Sequence, residues 1–515
     1  MLEVLSSALE LILTPEVLGI ILLSAAYGIF VGSIPGLTAT MAVALMVPLT
    51  FFLSDIQALA AIVTTVTCSI FAGDIPATLV RIPGTPASAA YASDAYALTQ
   101  RGQTGRSLGI SLIFSVFGGL FGTLVLIFAA PLLARIAENF SSFEYFWLYL
   151  LGLTCAAVVS DDSRLKGALA LLIGLLLSTI GLGADYGEPR LTFGFDQLIT
   201  GINFIPAMIG LFGVSELLRN ALTSNLGRPA DEIDGEESTT NDQNAISTVI
   251  KYVVPMSIRR VPQLIRSSVI GSLIGMLPGA GADIAAWISY AVSKRFSAHP
   301  EKYGRGSEEG LADATGANNA ALGSAWIPAL VFGIPGDSVT AIAIGVLLMK
   351  NIQPGPDIFD LSKPQAVLVF GIYITFILAN LLLIPLGLIA IRAGTLLVHI
   401  PRNILIPAIV IFCIVGSFSL NASYFDVTVM LVMGILGFLL ERLGAPLGPV
   451  VLGIILGGAL EHKFIQCLTK SNSPLAFLSS PISWTLAICC LSLWAWPLIF
   501  SKRRRSSVSG DLPHE

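Results

Sequence analysis

Long apolar runs set the first limit on how this chain can fold. They occupy residues 17–31, 110–130, 143–159, 165–180, 366–390, 404–415, 427–440 and 484–500. A helix that crosses a bilayer needs about 20 mostly apolar residues, fewer where it is broken or short. With the interrupted segments included, the pattern predicts roughly a dozen membrane passes. Lipid offers the backbone no hydrogen bonds, so such a chain must be helical wherever it is not surrounded by protein or a water-filled cavity. Charged residues make up only 12% of the 515-residue chain, about half the share of an average soluble protein. The expected fold class is therefore an all-α polytopic membrane protein.

Helix breakers recur inside the apolar background. "IPATLVRIPG" at 75–84 and "IPALVFGIPG" at 327–336 share six of ten positions, at an offset of 252 (336 − 84). "GSIPGLTATMAVAL" at 32–45 pairs with "GMLPGAGADIAAWI" at 275–288, at an offset of 243 (279 − 36). "QTG" at 103–105 pairs with "QPG" at 353–355. Three elements in one order with nearly constant spacing predict two repeats containing broken or re-entrant helices. A lone Pro-Gly would mark only a kink. The polar stretch "RPADEIDGEESTTNDQN" cannot bury enough apolar surface to fold alone. The expected organisation is a first membrane half over 1–218, a linker over 219–260, a second membrane half over 261–500 and a tail over 501–515.

Charge placement predicts that the repeats are inverted. The first Pro-Gly element is flanked by Glu16 and Asp55, whereas its partner lies between Arg259, Arg260 and Arg266 on one side and Lys294, Arg295, Lys302 and Arg305 on the other. The second repeated pair shows the reverse bias, with Arg101 and Arg106 after the first IPG and only Lys350 close after the second. Lys and Arg accumulate on the cytoplasmic side. Inverted repeats with paired interrupted helices point to a secondary transporter with its site near the bilayer midplane.

An interrupted helix frees N–H groups, which suit anions, and carbonyls, which suit a hard cation when side-chain oxygens join them. The candidate substrate residues around the breaks are Ser33, Gly36, Thr38, Arg81, Gly84, Thr85, Gly279, Gly336, Ser338 and Thr340. Candidate cation ligands are Asp74, Asn318, Asn319 and Asp337, with Na⁺ as the expected coupling ion, since neutral amide oxygens suit it better than a proton relay. Thr40, Ser88 and Asp283 carry similar chemistry nearby. Arg81 is expected to be buried beside a break, where a guanidinium is costly unless it meets an anion. It can grip a substrate carboxylate or pair internally with Asp74 or Asp337. Both asparagines can equally tie neighbouring helices together. Asp94 reads as a loop residue, and Glu188, Asp196 and Glu216 as interfacial ones.

Other signals exclude function classes. The net charge of −5 with no basic face gives no reason to expect nucleic acid as a partner. The six cysteines form no CxxC and the four histidines fall near expected loops or the tail, so no metal site beyond the sodium site is expected. No basic leader with a cleavage site opens the chain, and residues 2–13 read as an amphipathic helix at the interface. HExxH, paired catalytic aspartates and a nucleophile elbow are all missing, which argues against a membrane enzyme.

Several long stretches resemble one family. "GSIPGLTATMAVALMVPLTF", "IPATLVRIPGTPASAAYASDAYALTQRGQTGRSLG", "GSLIGMLPGAGADIAAWISYAVSKRFSAHPEKYGRGSEEG" and "ANNAALGSAWIPALVFGIPGDSVTAIAIGVLLMKNIQPGPDIF" look like the large membrane subunit of the tripartite tricarboxylate transporters. The resemblance runs from about residue 32 to 482. It implies bacterial inner-membrane uptake of di- or tricarboxylates or related organic acids, driven by an ion gradient. It also implies two partners, a small membrane subunit and a periplasmic solute-binding protein. Two positions depart from the family's form: "AGD" at 72–74 stands where Gly-Gly-Ser is expected, and Arg81 where Asn is expected. The substrate is therefore not fixed as citrate. The rival function is a self-sufficient secondary transporter or antiporter.

The last apolar run is followed directly by "SKRRR" at 501–505, so the C-terminus is expected in the cytoplasm, with the linker on the same side. A C-terminal reporter active only in the cytoplasm is the expected outcome; periplasmic activity alone would reverse the topology.

Overall fold

The computed structural model describes residues 1–159, 163–183, 187–224, 245–398, 402–471 and 473–506. Most of the expected linker, 225–244, lies outside these. The chain divides into two compact units, Met1–Ala137 with Asn203–Leu443, and Glu138–Ile202 with Gly444–Glu515. The two sequence halves therefore do not form separate bodies, because both contribute to the first unit.

In the first unit the chain opens with α1 (Leu2–Ile12), α2 (Pro15–Gly32), α3 (Ala39–Thr50), α4 (Asp55–Ala72), α5 (Asp74–Val80), α6 (Ala92–Gln100) and α7 (Thr104–Ala137). Helices α8 (Ser142–Val159) and α9 (Arg164–Ser178) belong to the second unit. The first unit resumes with α10 (Phe204–Met208), α11 (Ser215–Ser224), α12 (Ala245–Thr248) and α13 (Val254–Arg259). It continues with α14 (Val261–Gly275), α15 (Gly281–Phe296), α16 (Glu308–Phe332), α17 (Ser338–Met349), α18 (Gln365–Val398), α19 (Arg402–Asn421) and α20 (Tyr424–Arg442). Helices α21 (Leu447–Lys470) and α22 (Pro481–Ser506) complete the second unit, which also holds a two-strand hairpin, β1 (Gly181–Leu182) on β2 (Pro189–Arg190).

Six helical stretches among the described residues are long and apolar enough to cross a membrane, and five shorter apolar helices join them. This is an all-α polytopic membrane protein. Polarity runs from inside to outside. Leu22, Leu23, Phe30, Leu124, Phe128 and Leu132 are exposed, while Thr64, Thr65, Ser111, Ser115, Thr315, Asn318 and Asn319 are buried. Lipid is as apolar as leucine, so membrane helices associate through close packing and interhelical hydrogen bonds. Helix α16, buried along nearly its whole length, is the clearest case. Its Asn319 Nδ2 donates to Ser115 Oγ on α7 at 2.9 Å.

Small residues set the helix spacing. A Cβ added at Gly28 or Gly32 of α2 would strike the carbonyls of Thr65 and Ser69 on α4. In the second half, Gly271 and Gly275 of α14 lie against the carbonyls of Ala317 and Ala321 on α16. The two contacts repeat the sequence offsets: 271 − 28 and 275 − 32 give 243, and 317 − 65 and 321 − 69 give 252. On α7, Gly118 and Gly122 meet Gly316 and Ala320. In all three pairs the contacts advance together along both helices, so the partners run parallel.

The same reading gives the remaining directions. Gly371, Gly387 and Gly394 of α18 meet Ile56, Phe71 and Ile75 in ascending order, so α18 runs with α4 and α5. Gly119 meets Asn380 while Gly387 meets Leu112, so α7 and α18 are antiparallel. Helices α2, α4 and α18 thus point one way and α7, α14 and α16 the other. The halves also exchange partners: α7 of the first packs along α16 of the second, and α18 of the second along α4 of the first.

One end of the first unit gathers the starts of α7, α14 and α16. There Arg106 pairs with Glu308 at 2.5 Å, Arg260 with Glu309 at 2.8 Å and Arg266 with buried Asp313 at 2.7 Å. Asp94, expected in a loop, is instead fully buried in α6. Its Oδ1 accepts from the N–H groups of Gly306 (2.7 Å) and Ser307 (2.8 Å), and its Oδ2 from the Tyr290 hydroxyl (2.6 Å). A carboxylate can leave water only because three donors replace it. Glu216 is also buried, and pairs with Arg219 at 2.5 Å. Helix α1 packs on α18 and buries Ala8 and Ile12 there.

In the second unit, Gly174 of α9 lies against Val450 of α21, and the Glu144 carboxylate on α8 accepts from the hydroxyls of Ser141, Ser480 and Ser483. Arg190 grips Glu461 through two hydrogen bonds of 2.6 and 3.0 Å.

Overpacking a tight interior costs about 1–3 kcal/mol. Gly32→Val and Gly275→Val should each lower the melting midpoint of the detergent-purified protein by several degrees. Gly19→Ala, whose added methyl meets nothing within 4 Å, should leave it unmoved. Equal midpoints for all three would show that the close helix contacts carry no stability.

Candidate functional site

The repeated motifs form two kinds of joint. In the first half α2 ends at Gly32, the Ser33 hydroxyl donates to the Ile29 carbonyl at 2.6 Å, and the chain turns through Gly36, whose φ is 89°. Thr38 then caps α3, its Oγ1 accepting from the Met41 N–H at 3.2 Å. In the second half α14 ends at Gly275 and the turn passes through Gly279, with φ 76°. Positive φ costs little for glycine and more for a residue with a Cβ, which is why both turns carry Pro-Gly.

The IPG segments correspond atom for atom. Only the second proline of each segment lies at a break, because Pro76 sits inside α5 and Pro328 inside α16. Ile82 N donates to the Pro76 carbonyl at 3.3 Å, and Ile334 N to the Pro328 carbonyl at 3.2 Å. Gly84 packs on Gly73, and Gly336 on Ala325. Thr85 and Ser88 exchange backbone-to-hydroxyl bonds of 3.1 Å each way. At the equivalent positions Thr340 N donates to Asp337 Oδ1 at 2.8 Å and Asp337 N to Thr340 Oγ1 at 2.9 Å. Each pair is a reciprocal cap of the kind that starts a helix.

Each half's Pro-Gly joint meets the other half's IPG joint. Thr40 Oγ1 lies 3.1 Å from Ser338 Oγ, and Ala87 N donates to Asp283 Oδ1 at 3.0 Å. Thr40 and Asp283 are 243 residues apart (283 − 40), the offset of their motifs. The structure thus brings Thr40 beside Ser338 and Asp283 beside Ala87, while Gly281 after the second Pro-Gly turn also lies against Asp337 of its own half. Gly36, Thr38, Gly279, Asp337 and Ser338 are half-buried, while Ser33, Gly84, Thr85, Gly336 and Thr340 are buried behind them. Thr340 and Ser33 spend their hydroxyls on the backbone.

Arg81 is exposed, not buried. Its Nη2 lies 3.4 Å from Ser93 Oγ, and it makes no ion pair with Asp74 or Asp337 among the described residues. It holds φ at 57°, whereas its counterpart 252 residues on, Gly333, holds 68°. An L-residue in this left-handed conformation costs about 1–2 kcal/mol.

The cation candidates separate. Asp337 serves as a helix cap, and Asn319 ties α16 to α7 while its Oδ1 completes no hydrogen bond. Asp74 is buried, its Oδ1 accepting from the Tyr91 hydroxyl at 2.6 Å. Asn318 is buried on α16 with an unpartnered Nδ2. Tyr91, Ser111 and Thr315 escaped the sequence reading. Their one signal was the spacing of Ser107, Ser111 and Ser115, which places three hydroxyls on one face of α7.

Fold and joints together define a polytopic membrane protein built around two matched pairs of interrupted helices. The description "Tripartite tricarboxylate transporter TctA family" matches residues 18–452, and the chain belongs to this family, that of the large subunit of tripartite tricarboxylate transporters. It is 35% identical to an "Uncharacterized 52.8 kDa protein in TAR-I ttuC' 3'region" of Agrobacterium vitis, over 98% of this chain and 99% of that protein. An "Uncharacterized protein in TAR-II ttuC' 3'region" of the same organism is 38% identical over 47% of this chain and its own whole length. No solved structure matches the chain.

Arg81 separates backbone from side-chain effects. Arg81→Gly should keep or raise the melting midpoint, because it relieves the left-handed residue, and if Arg81 grips a substrate carboxylate the same change should abolish most uptake. Arg81→Lys should also impair uptake, since a point charge does not replace a bidentate fork. Near-normal uptake by both variants would remove Arg81 from the substrate site.

Proposed function

We propose that this chain is the permease subunit of a binding-protein-dependent importer of di- or tricarboxylates or related organic acids, driven by an ion gradient. It works in the bacterial inner membrane with a small membrane subunit and a periplasmic solute-binding protein. The observation that carries this reading is the crosswise pairing of the broken segments, Thr40 with Ser338 and Asp283 with Ala87. In carriers of this kind, interrupted helices from both halves wall the substrate site, and helix starts there favour an anionic substrate. Half-buried Thr38 and Ser338, with exposed Arg81 near Gly84 in sequence, carry hydroxyl and guanidinium donors suited to carboxylates.

The opposed directions of α2 and α4 against α14 and α16 support reading the halves as inverted repeats. In such carriers one repeat moves against the other around a fixed site, so that the site opens to each side in turn. Coupling to Na⁺ fits the buried carboxylate, hydroxyl and amide oxygens around Asp74 and Asn318, which are the groups a hard cation prefers. Transport rather than catalysis is the activity of the family.

Reconstitution tests the tripartite reading. Proteoliposomes holding both membrane subunits should take up substrate only when the loaded binding protein is outside and an inward Na⁺ gradient is present. Vesicles holding this chain alone should take up none. Equal uptake by the chain alone would establish a self-sufficient carrier instead.

A further inference from the structure

Asp74 lies within an apolar helical stretch, Asp55–Val80, whose length suffices to cross a bilayer, and it is 1% exposed. No Lys, Arg or His pairs with it among the described residues. A carboxylate at such depth without a positive partner is costly, and its presence marks a functional position. The polar groups nearest it are hydroxyls and one side-chain amide. Tyr91 donates to it at 2.6 Å, Ser111 of α7 stands beside it, and Thr315 and Asn318 of α16 stand beside the Tyr91 oxygen. All four neighbours are buried. Yet Ser111 Oγ, Thr315 Oγ1 and Asn318 Nδ2 complete no hydrogen bond of normal geometry.

Buried polar groups are nearly always partnered, so three idle ones around one unpaired carboxylate call for a ligand. The carboxylate rules out an anion. A proton on Asp74 would cancel the charge and could be donated to Ser111 Oγ, but it would leave the oxygens of Thr315 and Asn318, which stand beside the Tyr91 oxygen, as idle as before. A small cation cancels the charge and takes those oxygens too, with Asn318 supplying its amide oxygen after a half-turn of its side chain.

We propose that Asp74, Tyr91, Ser111, Thr315 and Asn318 form a Na⁺ site at the meeting of α5, α7 and α16. This deepens the import reading, on which the coupling role of the site rests. It moves the cation away from Asp337 and Asn319, whose side chains already cap α17 and tie α16 to α7. The site has no twin in the second half, because the residue 252 positions after Asp74 is Trp326. The site lies between helices of both halves, since α5 and α7 come from the first and α16 from the second. A cation there stabilises one arrangement of those helices over another and so can bias the alternation of the carrier.

Na⁺ binding can be read on the purified full chain without partners or substrate. NaCl should raise the melting midpoint of the wild type relative to choline chloride at equal ionic strength. Asp74→Asn should lose this shift. Ser111→Ala and Thr315→Val should keep it but need several-fold more Na⁺ to reach half of it, and Asp360→Asn, in an exposed loop, should match the wild type. If Asp74→Asn fails to fold, the Ser111 and Thr315 variants decide, and an unchanged Na⁺ requirement in both overturns the site. A wild type that melts alike in Na⁺ and choline, or is stabilised by acid instead, also overturns it. A normal Na⁺ shift with no uptake after full reconstitution would sink the import reading and leave the site standing.

Discussion

The whole arrangement depends on backbones that touch. Where Gly28 and Gly32 meet the carbonyls of α4, and Gly271 and Gly275 those of α16, no side chain separates the helices. In lipid there is no hydrophobic gain in bringing leucine to leucine, so contact at this distance, with its dispersion and polar contacts, is what holds helices together. Once α2 lies flush on α4 and α14 on α16, the ends of these helices are fixed relative to the breaks that follow them. The joints at Pro35–Gly36 and Pro278–Gly279 are therefore placed by the glycines one turn or more upstream.

Polar side chains then complete what small residues begin. The interior carries hydroxyls, amides and carboxylates that a soluble protein would show to water, and the outside carries leucine and phenylalanine. Asp94 illustrates how such groups are made affordable, with three donors around one carboxylate. Asp74 has only one donor of normal geometry. The contrast between two equally buried aspartates separates a structural acid from a candidate binding one more clearly than burial alone.

Much of the fold was legible because close packing leaves a fixed signature. Glycines recur four residues apart on α2, α7 and α14, and the offsets of 243 and 252 between motifs reappear as the offsets between touching atoms. The positions of the joints were legible for the same reason. Other features were not. Helix α16 carries Asn318, Asn319 and Asp313 in a sequence too polar to read as a membrane element, because its partners are helices and not lipid. Asp94 read as a loop residue because its donors lie 196 to 213 residues away. Arg81 was expected inside and lies outside, since an exposed turn and a buried one read alike in sequence. Nor do motifs reveal that α8, α9, α21 and α22 form a unit of their own, which depends on contacts between segments some 300 residues apart such as Ser142 with Gln466.

The exchange of helices between the halves has a consequence for biosynthesis. Residues Gly118 and Gly122 of α7 meet α16, and α4 packs along α18. A ribosome that has completed the first half has therefore made a set of spans whose polar and glycine-lined faces still look onto lipid. Ser115 waits for Asn319 until just over two hundred further residues have been inserted. The first half is committed to the membrane long before it is committed to a shape, and the second half arrives as its missing interior.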